Sequence, residues 1–102
     1  MSGISTHVLD TATGRPAAGI KVRLLFGDDA VGSGITDDNG RIQSLLSTLR
    51  SGTYSMLFDT GDYFTDSFYP EVSVSFIVRD PSANYHIALL LSPFGYTTYR
   101  GS

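Results

Sequence analysis

Alternation of apolar and polar positions runs through most of this chain. Over residues 4–10, Ile4, Thr6 and Val8 fall on one face and Ser5, His7 and Leu9 on the other, the period of two that marks a β-strand. Residues 20–26 repeat the pattern, directing Ile20, Val22, Leu24 and Phe26 to a core while Lys21 and Arg23 point away. A short, glycine-loosened strand over 31–36 suits a sheet edge. Residues 42–49 are the most ambiguous stretch and read as a brief strand followed by irregular chain up to Gly52. Residues 53–59 bury Tyr54, Met56 and Phe58, and 72–79, with Val72, Val74, Phe76 and Val78 set between serines and Arg79, form the cleanest strand. Two more, 85–91 and 95–100, complete the set.

Turn chemistry separates these segments. Residues 10–19 combine Asp, Thr, Gly and Pro, residues 27–29 are Gly-Asp-Asp, and Asp80-Pro81-Ser82 and Ser92-Pro93-Phe94-Gly95 precede the last two strands. Asp37-Asp38-Asn39-Gly40 is the strongest hairpin signal, because Asn-Gly tolerates the left-handed backbone a tight turn requires. Only residues 60–66 predict helix, one or two turns capped by Thr60 or Asp62. Seven or eight short strands with no repeat and no internal linker predict one all-β domain over residues 1–102, an antiparallel sandwich.

Composition narrows the partners. A chain of 102 residues buries roughly two-thirds of the surface its unfolded form exposes. Its twelve aromatic residues, six Tyr and six Phe, make coverage by other subunits a natural expectation. Seven basic against ten acidic residues give a net charge of -3 with no basic stripe, which argues against nucleic acid. No cysteine, no apolar run of the roughly 20 residues a bilayer demands, and no secretory opening lead to the expectation of a cytoplasmic protein without membrane partners.

Two histidines carry the candidate chemistry, His7 and His86, both inside predicted strands. In the segment 85–91 the odd positions hold the bulk, so His86 shares the opposite face with Ala88, and that face meets water, a pocket or a partner subunit. Imidazole exchanges protons near neutrality, so two of them in one cavity are able to activate a water and assist a leaving group. Two histidines without cysteine or a spaced acidic ligand fall short of a zinc set, and Asp37-Asp38-Asn39-Gly40 lacks the calcium-loop spacing, so no metal and no cofactor are expected. Gly32-Ser33-Gly34 does not extend to a nucleophile elbow. Arg41, leaving the tight turn, is either a solvated hairpin charge or a planar donor for carbonyls and anions. Tyr99-Arg100-Gly101-Ser102 is either a frayed tail or part of a site, and its aromatic, basic and hydroxyl groups favour the site.

Several of these segments together resemble a known family. Ile4-Ser-Thr-His7-Val-Leu-Asp10 with Thr13-Gly-Arg-Pro16-Ala, Thr36-Asp-Asp-Asn-Gly40-Arg41, Phe68-Tyr-Pro70-Glu71-Val72, and Tyr85-His86 through to Tyr99-Arg-Gly-Ser102 resemble the 5-hydroxyisourate hydrolases, the enzymatic branch of the transthyretin-like family. The similarity covers essentially the whole chain, and its most specific element is the Tyr-Arg-Gly-Ser tetrapeptide, which the hormone carriers of the family do not have. It implies a prealbumin-type sandwich of two four-stranded antiparallel sheets with one short helix. It also implies a homotetramer whose sites lie between its two dimers. The implied reaction is metal-free hydrolysis of 5-hydroxyisourate during urate degradation, opening the six-membered ring to 2-oxo-4-hydroxy-4-carboxy-5-ureidoimidazoline. By matching motifs, His7, Arg41, His86 and Ser102, through its hydroxyl or a terminal carboxylate, are the implied catalytic residues. His7, Arg41, Tyr99 and Arg100 are the implied substrate-binding residues. Two other readings stay open: a small-molecule carrier using the same channel without chemistry, and a sandwich module whose aromatics bind another protein.

Overall fold

The computed structural model describes residues 3–102, which form nine strands in two packed sheets. They are β1 (Gly3–Asp10), β2 (Arg15–Pro16), β3 (Lys21–Phe26), β4 (Asp29–Ile35), β5 (Arg41–Leu46), β6 (Gly52–Asp59), β7 (Glu71–Val78), β8 (Asn84–Ser92) and β9 (Gly95–Gly101). One sheet has the order β4-β3-β6-β7 and is antiparallel throughout. The other has the order β2-β1-β8-β9, with β5 also paired to β1. Both β2 and β5 use the same edge of β1, β5 along Ile4 to His7 and β2 at Leu9 and Asp10.

The core is largely what the alternation predicts, although Phe26, expected within it, is half-buried and packs against it. Ile4 and Val8 of β1, Val22 and Leu24 of β3, Tyr54, Met56 and Phe58 of β6, Val72 and Val78 of β7, and Tyr85, Ile87, Leu89 and Leu91 of β8 are buried between the sheets. Burying large apolar side chains of this kind contributes roughly 1.5–3 kcal/mol each before entropy is counted. Thr36, also buried, holds the first turn region: its hydroxyl donates to the Ala17 carbonyl at 2.7 Å and accepts the Ile20 N–H at 2.9 Å. No buried side-chain polar atom among the described residues lacks a partner.

The structure departs from the sequence expectations in three places. Residues 60–66 form turns and no helix, because Thr60 spends its hydroxyl across the loop, donating to the Tyr69 carbonyl at 2.7 Å. Gly61 N–H likewise donates to the Pro70 carbonyl at 2.9 Å, so these groups are satisfied by the returning chain instead of along a helix. The second sheet is mixed: β1 and β8 run parallel over eight register pairs, which the crossover between the sheets permits and local periodicity does not reveal. It also has five strands, not four.

The ambiguous stretch before Gly52 contains a bulge. Between Ile4 and Thr6 the pairing of β1 with β5 shifts from Leu46 to Ile42, so β5 carries extra residues there. The bulge drives the Leu45 carbonyl toward β4, where a Cβ on Gly32 would sit 2.2 Å from that oxygen. Glycine in β4 is therefore the cost of seating the bulge, and bulges commonly re-aim side chains beside a site.

Candidate active site

Two rows of side chains cross the face of the five-stranded sheet that points away from the core. In one row, His7 on β1 pairs with Arg41 on β5 and with Ala88 on β8, and Ala88 pairs with Tyr99 on β9. In the next, Ser5 on β1 pairs with His86 on β8, which pairs with Gly101 on β9. Paired residues present their side chains to the same face. The register thus gathers Arg41, His7, Tyr99, Ser5 and His86, which come from four strands. The two imidazole centroids are 6.5 Å apart with planes tilted by 40°, close enough for one small planar molecule to touch both.

Arg41 is delivered by the turn that precedes it. The Asp37 carboxylate accepts the N–H groups of Asn39 at 2.9 Å and Arg41 at 3.0 Å, while Gly40 N–H donates to the Asp37 carbonyl at 2.8 Å. Gly40 is buried with φ 73°, and a Cβ there would meet the Val8 carbonyl oxygen at 2.3 Å. Only glycine satisfies both the left-handed backbone and the close approach. The same contact carries a hydrogen bond from Val8 N–H to the Gly40 carbonyl at 2.7 Å, pinning the turn against β1 so that Arg41 emerges opposite His7.

His86 is the most constrained group in the site. Its Nδ1 lies 2.8 Å from Ser5 Oγ, and the other edge of the ring packs on Gly101, where a Cβ would come within 2.5 Å of Cδ2. Partial burial holds its pKa below the ordinary histidine value, and the nearby positive charge of Arg41, then that of His7, pushes in the same direction. A neutral imidazole at neutral pH is a proton acceptor.

Beside His86 opens a cleft of about 590 Å³, walled by Ser5, Gln43, Ser44, Asn84, His86 and Ser102 among others. Ser5, Gln43, Ser44 and Asn84 were not singled out from sequence. The alternation does place Ser5 on the face of His7, but linking it to His86 required knowledge of the parallel β1–β8 register. Gln43 and Ser44 reach the cleft from the β5 bulge, for which the sequence gives no signal. Among the described residues no three His, Cys, Asp or Glu side chains gather to hold a metal ion.

Residues 4–101 match the model of the HIUase/Transthyretin family. The chain belongs to this family. A probable 5-hydroxyisourate hydrolase of Caenorhabditis elegans is 43% identical over 111 residues, an alignment covering 99% of this chain and 82% of the relative. Within the family's solved structures, the 5-hydroxyisourate hydrolase of Klebsiella pneumoniae superposes with a TM-score of 0.90 at 33% identity, covering 97% of this chain and 98% of the other. Sea bream transthyretin in complex with thyroxine superposes with a TM-score of 0.88 at 31% identity, covering 96% and 93%. The family fold thus occurs in a hydrolase and in a protein solved with thyroxine, and the face bearing His7 and His86 must decide between the two uses.

The residues implied by the resemblance take different positions around that face. His7, Arg41, His86 and Tyr99 share the two rows, and Ser102 borders the cleft. Arg100 also borders the cleft, but it pairs with Ile87 and its side chain follows the core-facing side of the sheet. Its guanidinium donates to the Asn84 carbonyl at 3.2 Å and lies 4.6 Å over the Tyr85 ring. The guanidinium thus sits at the rim of the cleft, engaged with those two partners.

Proposed function

We propose that this chain hydrolyses 5-hydroxyisourate in urate degradation. The observation that carries the reading is the pair of imidazoles 6.5 Å apart on one sheet face with a guanidinium in the same row, where burial and the Arg41 charge hold the pKa of His86 below its ordinary value. A carrier holds its ligand without moving protons, so nothing in that use calls for paired proton-transfer groups. Similarity to relatives bearing the hydrolase name at about 40% identity supports the same choice.

In this reading the substrate's planar ring lies over the two rows, with Tyr99 packed on it and Arg41 donating to its oxygens. Neutral His86 takes a proton from a water molecule as the water oxygen bonds to the ring carbonyl carbon. Arg41 stabilises the charge that builds on the carbonyl oxygen, the electrostatic contribution that is often the largest. The C–N bond of the six-membered ring then breaks as the proton taken by His86 passes by way of His7 to the departing nitrogen, which restores both rings. The net change is addition of one water across that bond, giving 2-oxo-4-hydroxy-4-carboxy-5-ureidoimidazoline. Ser102 binds the substrate from the cleft through its hydroxyl.

The reading extends to a homotetramer with sites at the dimer–dimer interface. Its support is the sandwich's open side, where β7 and β9 end their sheets with unpaired edges, and the exposure of Phe68, Phe94 and Tyr99 at 68%, 67% and 54%. Open edges and exposed aromatics are relieved by pairing between copies. Urate oxidase acting on urate supplies 5-hydroxyisourate in the cuvette, and the protein should accelerate the decay of its ultraviolet band. Decay at the rate of buffer alone refutes the assignment.

A further inference from the structure

We propose that Ser5 is the positioning residue of His86, holding Nδ1 so that Nε2 is the nitrogen offered to the substrate. Three observations converge on it. The first is the hydrogen bond of 2.8 Å between Ser5 Oγ and His86 Nδ1. The second is where the two residues sit: they are direct partners inside the two-strand pairing that runs from Gly3 with Asn84 to Asp10 with Leu91, flanked by paired residues on both sides, so neither backbone has freedom to drift. The third is Gly101, which packs on Cδ2 and Cγ from the opposite side. With Nδ1 engaged by serine and Cδ2 covered by the tail, the ring edge left to the cleft is Cε1 and Nε2.

The choice of a hydroxyl has a chemical consequence. A carboxylate at Nδ1 orients an imidazole and also stabilises its protonated form, raising its basicity. A serine hydroxyl orients the ring without adding a negative charge. With Nδ1–H donating to Oγ, the direction this role requires, Nε2 carries the lone pair, the tautomer able to accept a proton from water. When Nε2 is protonated, the same Nδ1–H···Oγ bond persists, so no heavy atom moves during proton transfer. The charged and titratable groups facing His86 are His7 on β1 and Arg41 on β5, both cationic when charged, and on β9 the Arg100 side chain is directed to Asn84 and Tyr85. Serine completes a set in which none of these named groups pulls the ring toward imidazolium.

The kinetic part of this inference rests on the hydrolase reading; the tautomer part does not. Ser5→Ala should lower kcat by about 10- to 100-fold, the loss seen when the hydrogen-bonded partner that orients a metal-bound histidine is removed, with KM changed by less than about threefold. Ser5→Thr, which keeps the hydroxyl, should restore kcat to within a few-fold of wild type. ¹⁵N-histidine NMR of the full chain should report the Nδ1–H tautomer for His86 in wild type and Ser5→Thr, and its loss in Ser5→Ala. Ser5→Asp should shift the acid limb of the kcat profile to higher pH. Unchanged His86 nitrogen shifts in Ser5→Ala overturn the proposal even if turnover falls, and so does a kcat for Ser5→Thr as low as that of Ser5→Ala. A wild-type protein inert toward 5-hydroxyisourate but showing the Nδ1–H tautomer dependent on Ser5 would sink the substrate assignment and leave the positioning role standing.

Discussion

Gly101→Ala is a clean steric probe of the site, because Gly101 has an ordinary backbone conformation that alanine adopts without strain. The added methyl would lie 2.5 Å from His86 Cδ2 and 3.3 Å from Cγ, whereas ordinary contact begins at 3.4 Å. Either the imidazole or the tail must therefore retreat by about 0.9 Å, from 3.4 minus 2.5. If the ring moves, the Ser5 bond lengthens and Nε2 is re-aimed; if β9 moves, Tyr99 and Ser102 leave the face. A displacement near 1 Å at a reacting group costs about 10²-fold in rate, or about 2.7 kcal/mol of transition-state stabilisation. Stability should not follow, since β9 is an edge strand and replacing glycine removes freedom from the unfolded chain. The assay is the decay of 5-hydroxyisourate generated by urate oxidase, with thermal melting of the same sample. A variant within about threefold of wild-type kcat/KM would refute the claim that His86 is set by its contact with residue 101.

Other outcomes test separate parts of the account. His7→Ala and His86→Ala should each reduce kcat/KM by about 10²- to 10⁴-fold with an unchanged circular dichroism spectrum. Arg41→Met removes a positive charge that lowers the His86 pKa, so the acid limb of the rate profile should move to higher pH; an unmoved limb contradicts the electrostatic assignment. Because the folded pKa of His86 lies below its unfolded value of about 6.5, the unfolded chain protonates first and stability should fall as pH drops from 6.5 toward the folded value. A His86→Gln variant should show a flatter slope of melting temperature across that window. Thr36→Val should destabilise by about 1–3 kcal/mol for each backbone group it strands, read by urea unfolding, since Ile20 N–H and the Ala17 carbonyl lose their partner.

The strands were legible because a two-sided sheet writes its burial into every second residue. Ile4, Thr6 and Val8 are buried, and Ser5, His7 and Leu9 less so, as the alternation over 4–10 requires. The same logic placed His86 on the face away from the core. It could not supply the parallel pairing of β1 with β8, because a crossover between sheets leaves no local periodicity, and Ser5 was missed for that reason. Residues 60–66 failed differently: Thr60 has the chemistry of a cap, but the chain around Tyr69 and Pro70 competes for its hydroxyl and its neighbour's N–H and wins. Arg100 reaches only the rim of the cleft, since within a strand every second side chain of Tyr99-Arg100-Gly101 must face the other way, an alternation the motif alone does not display.

If two histidines on one sheet face perform the hydrolysis, removing both must abolish it. The comparison is between wild type and the His7→Ala/His86→Ala double variant in the first-order decay of 5-hydroxyisourate. Wild type should accelerate the decay strongly, and the folded double variant should leave it at the buffer rate. A double variant as fast as wild type would contradict that role for the histidines.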